Sequence, residues 1–203
     1  MNINIDTFNK WAEADRDISM ENGHRRSVLD MFNILDRERK LENDFSFLDI
    51  GCGNGWVIRD ILKIKNCFYA LGIDGAQNMI QKAKKFNLGD FELTDIEKFK
   101  LTRKFDIIFS METFYYFKHI DKLLDNIYDN GLNDNGIIII GIDHYKENKE
   151  SLSWGEDYNL NLTTLSIKEW VNLFNNASFK KVSHEISKQG NNSHGTLIIY
   201  GYK

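Results

Sequence analysis

Phe47-Leu48-Asp49-Ile50-Gly51-Cys52-Gly53-Asn54-Gly55 decides how the rest of the chain reads. Phe45 to Ile50 is short, apolar and ended by glycine, the pattern of a buried strand. Gly55 to Ile64 follows at helical spacing, with Val57, Ile58, Ile61 and Leu62 apolar. The glycines between let the backbone turn sharply and let a ligand approach it closely. The first turn of a helix also offers unpaired N–H groups. A second apolar run, Phe68 to Ile73, ends in Asp74, 25 residues after Asp49. A carboxylate at that strand end suits the two hydroxyls of a ribose.

Working outward, the alternation continues. Thr7 to Asp17 and Glu21 to Glu42 precede the first strand as helices, the second burying Val28, Leu29, Met31, Phe32 and Leu35. Ala76 to Phe86 reads as a helix and Phe91 to Leu93 as a third strand. Phe105 to Met111 is a fourth strand, Phe114 to Tyr128 a helix, Asn133 to Gly136 a turn and Ile137 to Ile142 a fifth strand. That last run is continuously β-branched, as a central buried strand is. Ser166 and Glu169 form a capping box, opening a helix with Ile167, Trp170, Val171 and Phe174 on one face. Lys181 to Ile186 and Thr196 to Tyr200 close the chain as a hairpin around a glycine-bearing loop. Strands separated by helices imply a parallel sheet covered on both faces. The expectation is an α/β, doubly wound, Rossmann-like sheet of seven strands, mostly parallel, with an antiparallel C-terminal hairpin and an N-terminal helical extension. The chain divides as one domain, 1–203: a helical cap (1–42), a cofactor-binding core (45–142), a substrate loop (143–165), and the last helix with its hairpin (166–203).

The motifs together resemble the class I S-adenosylmethionine (SAM)-dependent methyltransferases, of the small-molecule, methyltransferase type 11/12 kind. Phe47 to Gly55 is similar to the family's first motif, and Gly72-Ile73-Asp74-Gly75-Ala76 to its second strand end. Leu93-Thr94-Asp95-Ile96 is similar to the third strand end and Phe105 to Met111 to the fourth strand. Gly131 to Ile142 matches the fifth, without the Pro-Gly-Gly common there. By this resemblance Asp49 and the loop Gly51, Cys52, Gly53, Asn54, Gly55 contact the methionine moiety of SAM. Asp74 holds the ribose; Gly75, Ala76 and Met79 border the adenosine; Asp95 and Ile96 meet the adenine; Ser110 and Met111 border the sulfonium. Asp74 and Asp95 also suit helix N-caps. Cys52 reads as a small residue that fits the loop, since nothing basic lies beside it. Arg16 is a candidate partner for the cofactor carboxylate, or an exposed arginine.

Glu112, Tyr115 and Tyr116 follow the fourth strand and are candidates for substrate contact. So are Trp154, in the polar stretch His144 to Thr164, and Trp11 in the N-terminal segment. Tyr116 and His144 are the candidate general bases. Helix packing for the tyrosines, and a loop pinned to the core by Trp154, are the plainer alternatives. No metal ligand set is expected.

The chain has 203 residues, net charge −4 and no proline. About 5% proline is average. Its absence excludes the Asn/Asp-Pro-Pro-aromatic motif of base amino-methylating enzymes, and neither Cys52 nor Cys67 lies near the fourth strand as a cytosine C5 nucleophile would. The acidic balance disfavours a nucleic-acid track. Two cysteines make no disulfide framework, no leader or membrane span is legible, and a cytoplasmic monomer or homodimer is expected. The Asn-x-Ser/Thr triplets at Asn161, Asn176 and Asn191 then carry no meaning. The expected reaction is direct displacement of the SAM methyl by an O, N or C atom of a small molecule, leaving S-adenosylhomocysteine (SAH). Two alternatives stay open: a non-catalytic SAM/SAH-binding module or partner subunit, and an NAD-dependent oxidoreductase.

Overall fold

The computed structural model describes residues 2–187 and 194–203. Seven strands form one sheet: β1 (Phe45–Ile50), β2 (Cys67–Asp74), β3 (Asp90–Leu93), β4 (Phe105–Met111), β5 (Leu132–Ile142), β6 (Lys180–Ser187) and β7 (Thr196–Tyr202). Their order is β3-β2-β1-β4-β5-β7-β6. The first five are parallel, and β7 runs antiparallel to both β5 and β6. The order reverses at β1, so the carboxyl ends of β1 and β4 flank the crevice where ligands of such sheets sit.

The side-chain period of two sends alternate residues to opposite faces. Phe45 and Phe47 of β1 join one core, with Ile107 and Phe109 of β4 and Ile137 and Ile139 of β5. Leu48 and Ile50 join the other, with Ile108, Ile138, Ile140 and Ile142. Both faces are covered, which is why these strands read as unbroken apolar runs. The first core is closed by α2 (Arg16–Arg37), α3 (Trp56–Ile61) and α4 (Gln77–Lys84). The second is closed by α5 (Ile120–Asn126) and α7 (Ile167–Asn176), through Leu123, Leu124, Trp170 and Phe174. The Ser166 capping box on α7 is present.

Leu29, expected on the buried face of the second helix, is 52% exposed, and several element boundaries differ from those expected. The N-terminal helices are α1 (Ile3–Glu13) and α2, separated at Asp15, whose φ of 55° breaks the helical path. The expected helix Phe114 to Tyr128 is a short 3-10 turn (Phe114–Tyr116), a break, and then α5. The cause is where the carbonyls go. Those of Tyr115 and Phe117 accept from the Thr163 N–H and hydroxyl at 2.7 and 2.8 Å, and that of Tyr116 from the Asn4 amide. They are therefore unavailable to helical partners. The polar stretch 143–165 carries a 3-10 turn (Lys149–Ser151) and the one-turn α6 (Trp154–Asp157). The Asn133–Gly136 turn lies within β5 as an irregularity in its pairing with β4. Gly195 of the loop between the last two strands has φ +80°, in the left-handed region, while Gly190 and the Asn191 triplet lie outside the described residues.

Candidate active site

A cavity opens at the carboxyl ends of β1, β2, β3 and β4, roofed by α1 and α2. Its floor is the glycine loop. Gly51 and Gly53 have φ of +78° and +52°, in the left-handed region that glycine adopts freely. A Cβ at Gly51 would stand 2.0 Å from the Thr113 hydroxyl oxygen, whereas one at Gly53 would meet nothing within 4 Å. The first glycine is thus required by close packing. The second leaves bare backbone beside the cavity.

Asp74 ties the loop to the neighbouring strand. One carboxylate oxygen accepts the Gly53 N–H at 2.9 Å and the other the Ala76 N–H at 2.7 Å. A carboxylate has about four acceptor positions, so each oxygen keeps capacity toward the cavity. Burial raises the Asp74 carboxyl above its ordinary range, against the lowering effect of these backbone donors. Asp49 is 2% exposed, and its Oδ2 has no hydrogen-bond partner. Burial first, then the Asp74 charge, pushes it well above the ordinary carboxylate range. A buried carboxylate oxygen facing a cavity without a donor fits a ligand that brings one.

Of the residues assigned from sequence, Asp49, Gly51, Cys52, Gly53, Asn54, Asp74, Gly75, Ala76, Met79, Asp95, Ile96, Met111, Glu112 and Tyr116 line this cavity. Others do not. Gly55 lies beneath the loop against Phe91 and Ala83. Ser110 is buried, with its hydroxyl donating to the Ile50 carbonyl at 2.7 Å. Arg16 is exposed and lies over the Trp11 ring, so its assignment to a cofactor carboxylate gives way to the exposed alternative. Trp11 packs on Phe8 and Tyr158 at the outer side of α1, and Trp154 lies 6.3 Å from the His144 ring. His144 is 1% exposed and has both ring nitrogens engaged, by the Ser151 carbonyl at 2.9 Å and the Thr164 hydroxyl at 2.8 Å. That geometry makes it a strut of the 143–165 segment and removes it as a base. Tyr115 is also buried and donates to Glu112 Oε2 at 2.6 Å. The Cys52 thiol is raised well above its usual range by burial and the nearby carboxylates, as a non-nucleophilic loop residue requires.

The N-terminal helices supply the roof. Asn4, Ile5 and Phe8 of α1, and Asp17, Met20, Glu21 and His24 of α2, all face the cavity. Their spacing is that of single helix faces, the one signal available beforehand. Polar latches hold the roof down. The Asn4 amide donates to the Asn161 carbonyl at 2.9 Å and its oxygen accepts the Asn161 N–H at 2.8 Å. Asn9 accepts the Asn78 N–H at 2.9 Å. Asp17 receives Lys82 and the Asn54 amide, at 2.6 and 3.0 Å.

At the β4 and β5 ends lies a second group. Glu112, at φ 56°, accepts from the Tyr115 hydroxyl and the Asp143 N–H. Burial and the Asp143 charge raise its carboxyl well above the ordinary range. His24 Nε2 stands 3.7 Å from Asp143 Oδ2, and burial lowers the imidazole below its usual value.

A family profile described as a methyltransferase domain matches residues 41–191. A malonyl-[acyl-carrier protein] O-methyltransferase of Ilyobacter polytropus is 34% identical over 153 residues, 71% of this chain and 56% of that protein. One of Bacillus anthracis is 26% identical over 58% of this chain and 45% of that protein. This chain therefore spans about half the length of the curated relatives it matches. Among solved structures, a SAM-dependent methyltransferase from Thermotoga maritima superposes with a TM-score of 0.70 at 20% identity, covering 97% of this chain and 98% of that one. A chain from a complex of a methyltransferase and its activator from Haloferax volcanii gives 0.80 at 21% identity, covering 96% of both. Profile, strand-end motifs and sheet order agree, and the chain belongs to the class I SAM-dependent methyltransferases.

Proposed function

We propose that this chain binds SAM in the roofed cavity and transfers its methyl group to a small molecule. The observation that carries this reading is the charge of the lining. Asp17, Glu21, Asp49, Asp74, Asp95 and Glu112 line the cavity, and no lysine or arginine does among the described residues. A carboxylate-lined pocket suits a cationic ligand and repels a pyrophosphate, which disfavours the NAD alternative. SAM supplies an activated methyl group on a cationic sulfonium. The residues supply orientation and dryness. In this reading Asp74 takes the two ribose hydroxyls, Asp49 and the Gly51–Asn54 backbone the methionine end, and Asp95 with Ile96 the adenine. Met111 borders the sulfonium. The roof residues Ile5, Phe8 and Met20 exclude water, and Tyr116 walls the acceptor side.

The relatives act, by their names, on a malonyl group carried by a protein. Among the described residues no lysine or arginine lines this cavity to receive such a carboxylate, which speaks against that acceptor. Incubating the protein with methyl-labelled SAM and a metabolite extract tests transfer. Label should appear in a small-molecule fraction. Binding of SAM without transfer to any fraction would favour the non-catalytic module and overturn the catalytic part of the reading.

A further inference from the structure

Three acceptor atoms converge beside the cavity with no lysine or arginine among them. His24, Glu112 and Asp143 each present one, all within 4.8 Å of one another. His24 and Glu112 line the cavity, and Asp143 reaches them from just beyond β5. Asp143 Oδ1 is buried with no hydrogen-bond partner. The other cavity acids of α2 differ. Asp17 is paired with Lys82, and Glu21 with Arg25 and Arg59. Among the described residues no lysine or arginine pairs with Glu112 or Asp143, and an imidazole faces Asp143 with Nε2. Such an arrangement calls for a guest that brings several N–H donors or a positive charge.

Spacing separates an ammonium from a metal ion. A tetrahedral –NH3+ donating to three acceptors at about 2.9 Å sets them roughly 4.7 Å apart. A small divalent ion such as Mg2+ or Zn2+, bound at about 2.1 Å, draws its ligands to roughly 3.0–3.4 Å. His24 Nε2 and Asp143 Oδ2 stand 3.7 Å apart, longer than the ligand spacing of such a small ion. The neighbouring walls are aromatic: Phe8, Tyr116 and Phe117 line the same cavity, with the Phe8 and Tyr116 rings 5.1 Å apart. Apolar aromatic walls around a carboxylate pair suit an amine with a flat apolar body.

Resting on the methyl-transfer reading, we propose that the acceptor is a small primary amine, seated as its ammonium on Glu112, Asp143 and His24, and methylated on that nitrogen. The amine must first lose one proton. Its N–H bond breaks, the proton passes to His24 Nε2, and the electron pair left on nitrogen forms the N–CH3 bond as the S–CH3 bond of SAM breaks, that bond's electrons staying on sulfur to give neutral SAH. Glu112 and Asp143 hold the ammonium before this transfer and the imidazolium after it.

The test uses the full chain saturated with SAH, with phenethylamine, 3-phenylpropionate and Mn2+ as probes in calorimetry. Phenethylamine should bind at least tenfold more tightly than the carboxylate of matched shape. Glu112→Gln and Asp143→Asn should each weaken it at least tenfold, while thermal stabilisation by SAH shows that each variant is folded. His24→Gln should weaken phenethylamine binding less than Glu112→Gln or Asp143→Asn does, and should lower label transfer at least tenfold at saturating phenethylamine; unchanged transfer overturns the role of His24. Equal or tighter binding of 3-phenylpropionate overturns the proposal. So does Mn2+ binding lost in the same variants, or no amine binding to the SAH complex. If SAH itself does not bind, the methyl-transfer reading fails first.

Discussion

Replacing Asp49 with asparagine removes a charge whose burial costs the empty protein stability. Asp49 is 2% exposed, its Oδ2 has no partner, and the Asp74 carboxylate lies near enough to raise it further. Leaving a buried polar group unsatisfied costs about 1–3 kcal/mol, and more when it is charged. For a domain of about 200 residues that corresponds to roughly 2–4 °C per kcal/mol. Asp49→Asn should therefore raise the melting temperature of the ligand-free protein by several degrees at pH 8. The pH dependence fixes the cause. A carboxyl raised in the folded state favours folding fully below its unfolded pKa, about 3.9, and that advantage is lost as pH rises through the folded value. The gain from asparagine should accordingly be near zero at pH 4 and grow toward pH 8. The same variant should bind SAH at least tenfold more weakly. Melting curves of both proteins from pH 4 to 8, with and without SAH, give all three quantities. A variant less stable than the parent at pH 8, or a gain independent of pH, would refute the assignment of Asp49 as an uncompensated buried carboxylate.

Asp74→Ala should weaken SAH binding by at least tenfold, about 1.4 kcal/mol, read by calorimetry; unchanged affinity would take Asp74 out of the site. Gly51→Ala places a methyl 2.0 Å from the Thr113 hydroxyl at a φ of +78°, and should cost about 2–4 kcal/mol from strain and overpacking together. Chemical denaturation measures the loss, and adding Thr113→Ala should restore part of it. Ser166→Ala deletes the capping box of α7 and should cost about 1 kcal/mol, seen as a few degrees in melting temperature with SAH affinity unchanged.

The sequence carried the strands well because the sheet is buried on both faces. Phe47 and Leu48 point to different cores, yet both are fully buried, so period and composition speak together. The glycine loop was legible for a related reason: its backbone demands residues that few other structures demand. The acceptor side was not legible in the same way. The broken helix after β4 depends on Thr163 and Asn4 capturing carbonyls 46 to 112 residues away along the chain, and no local pattern encodes such partners. His144 looked like a base because it follows β5, but its nitrogens are spent on Ser151 and Thr164. His24 belonged to a helix face whose direction only the packing of α2 over the loop determines. The missing proline bore on the exclusion of base-methylating motifs and left the fold unaffected.

The central claim is that the carboxylate-lined cavity under α1 and α2 is a SAM site. Calorimetric titration of the purified chain with SAH, and separately with NAD, tests it most directly. One SAH should bind per chain, with no detectable heat from NAD. Saturable binding of NAD with no binding of SAH would contradict it.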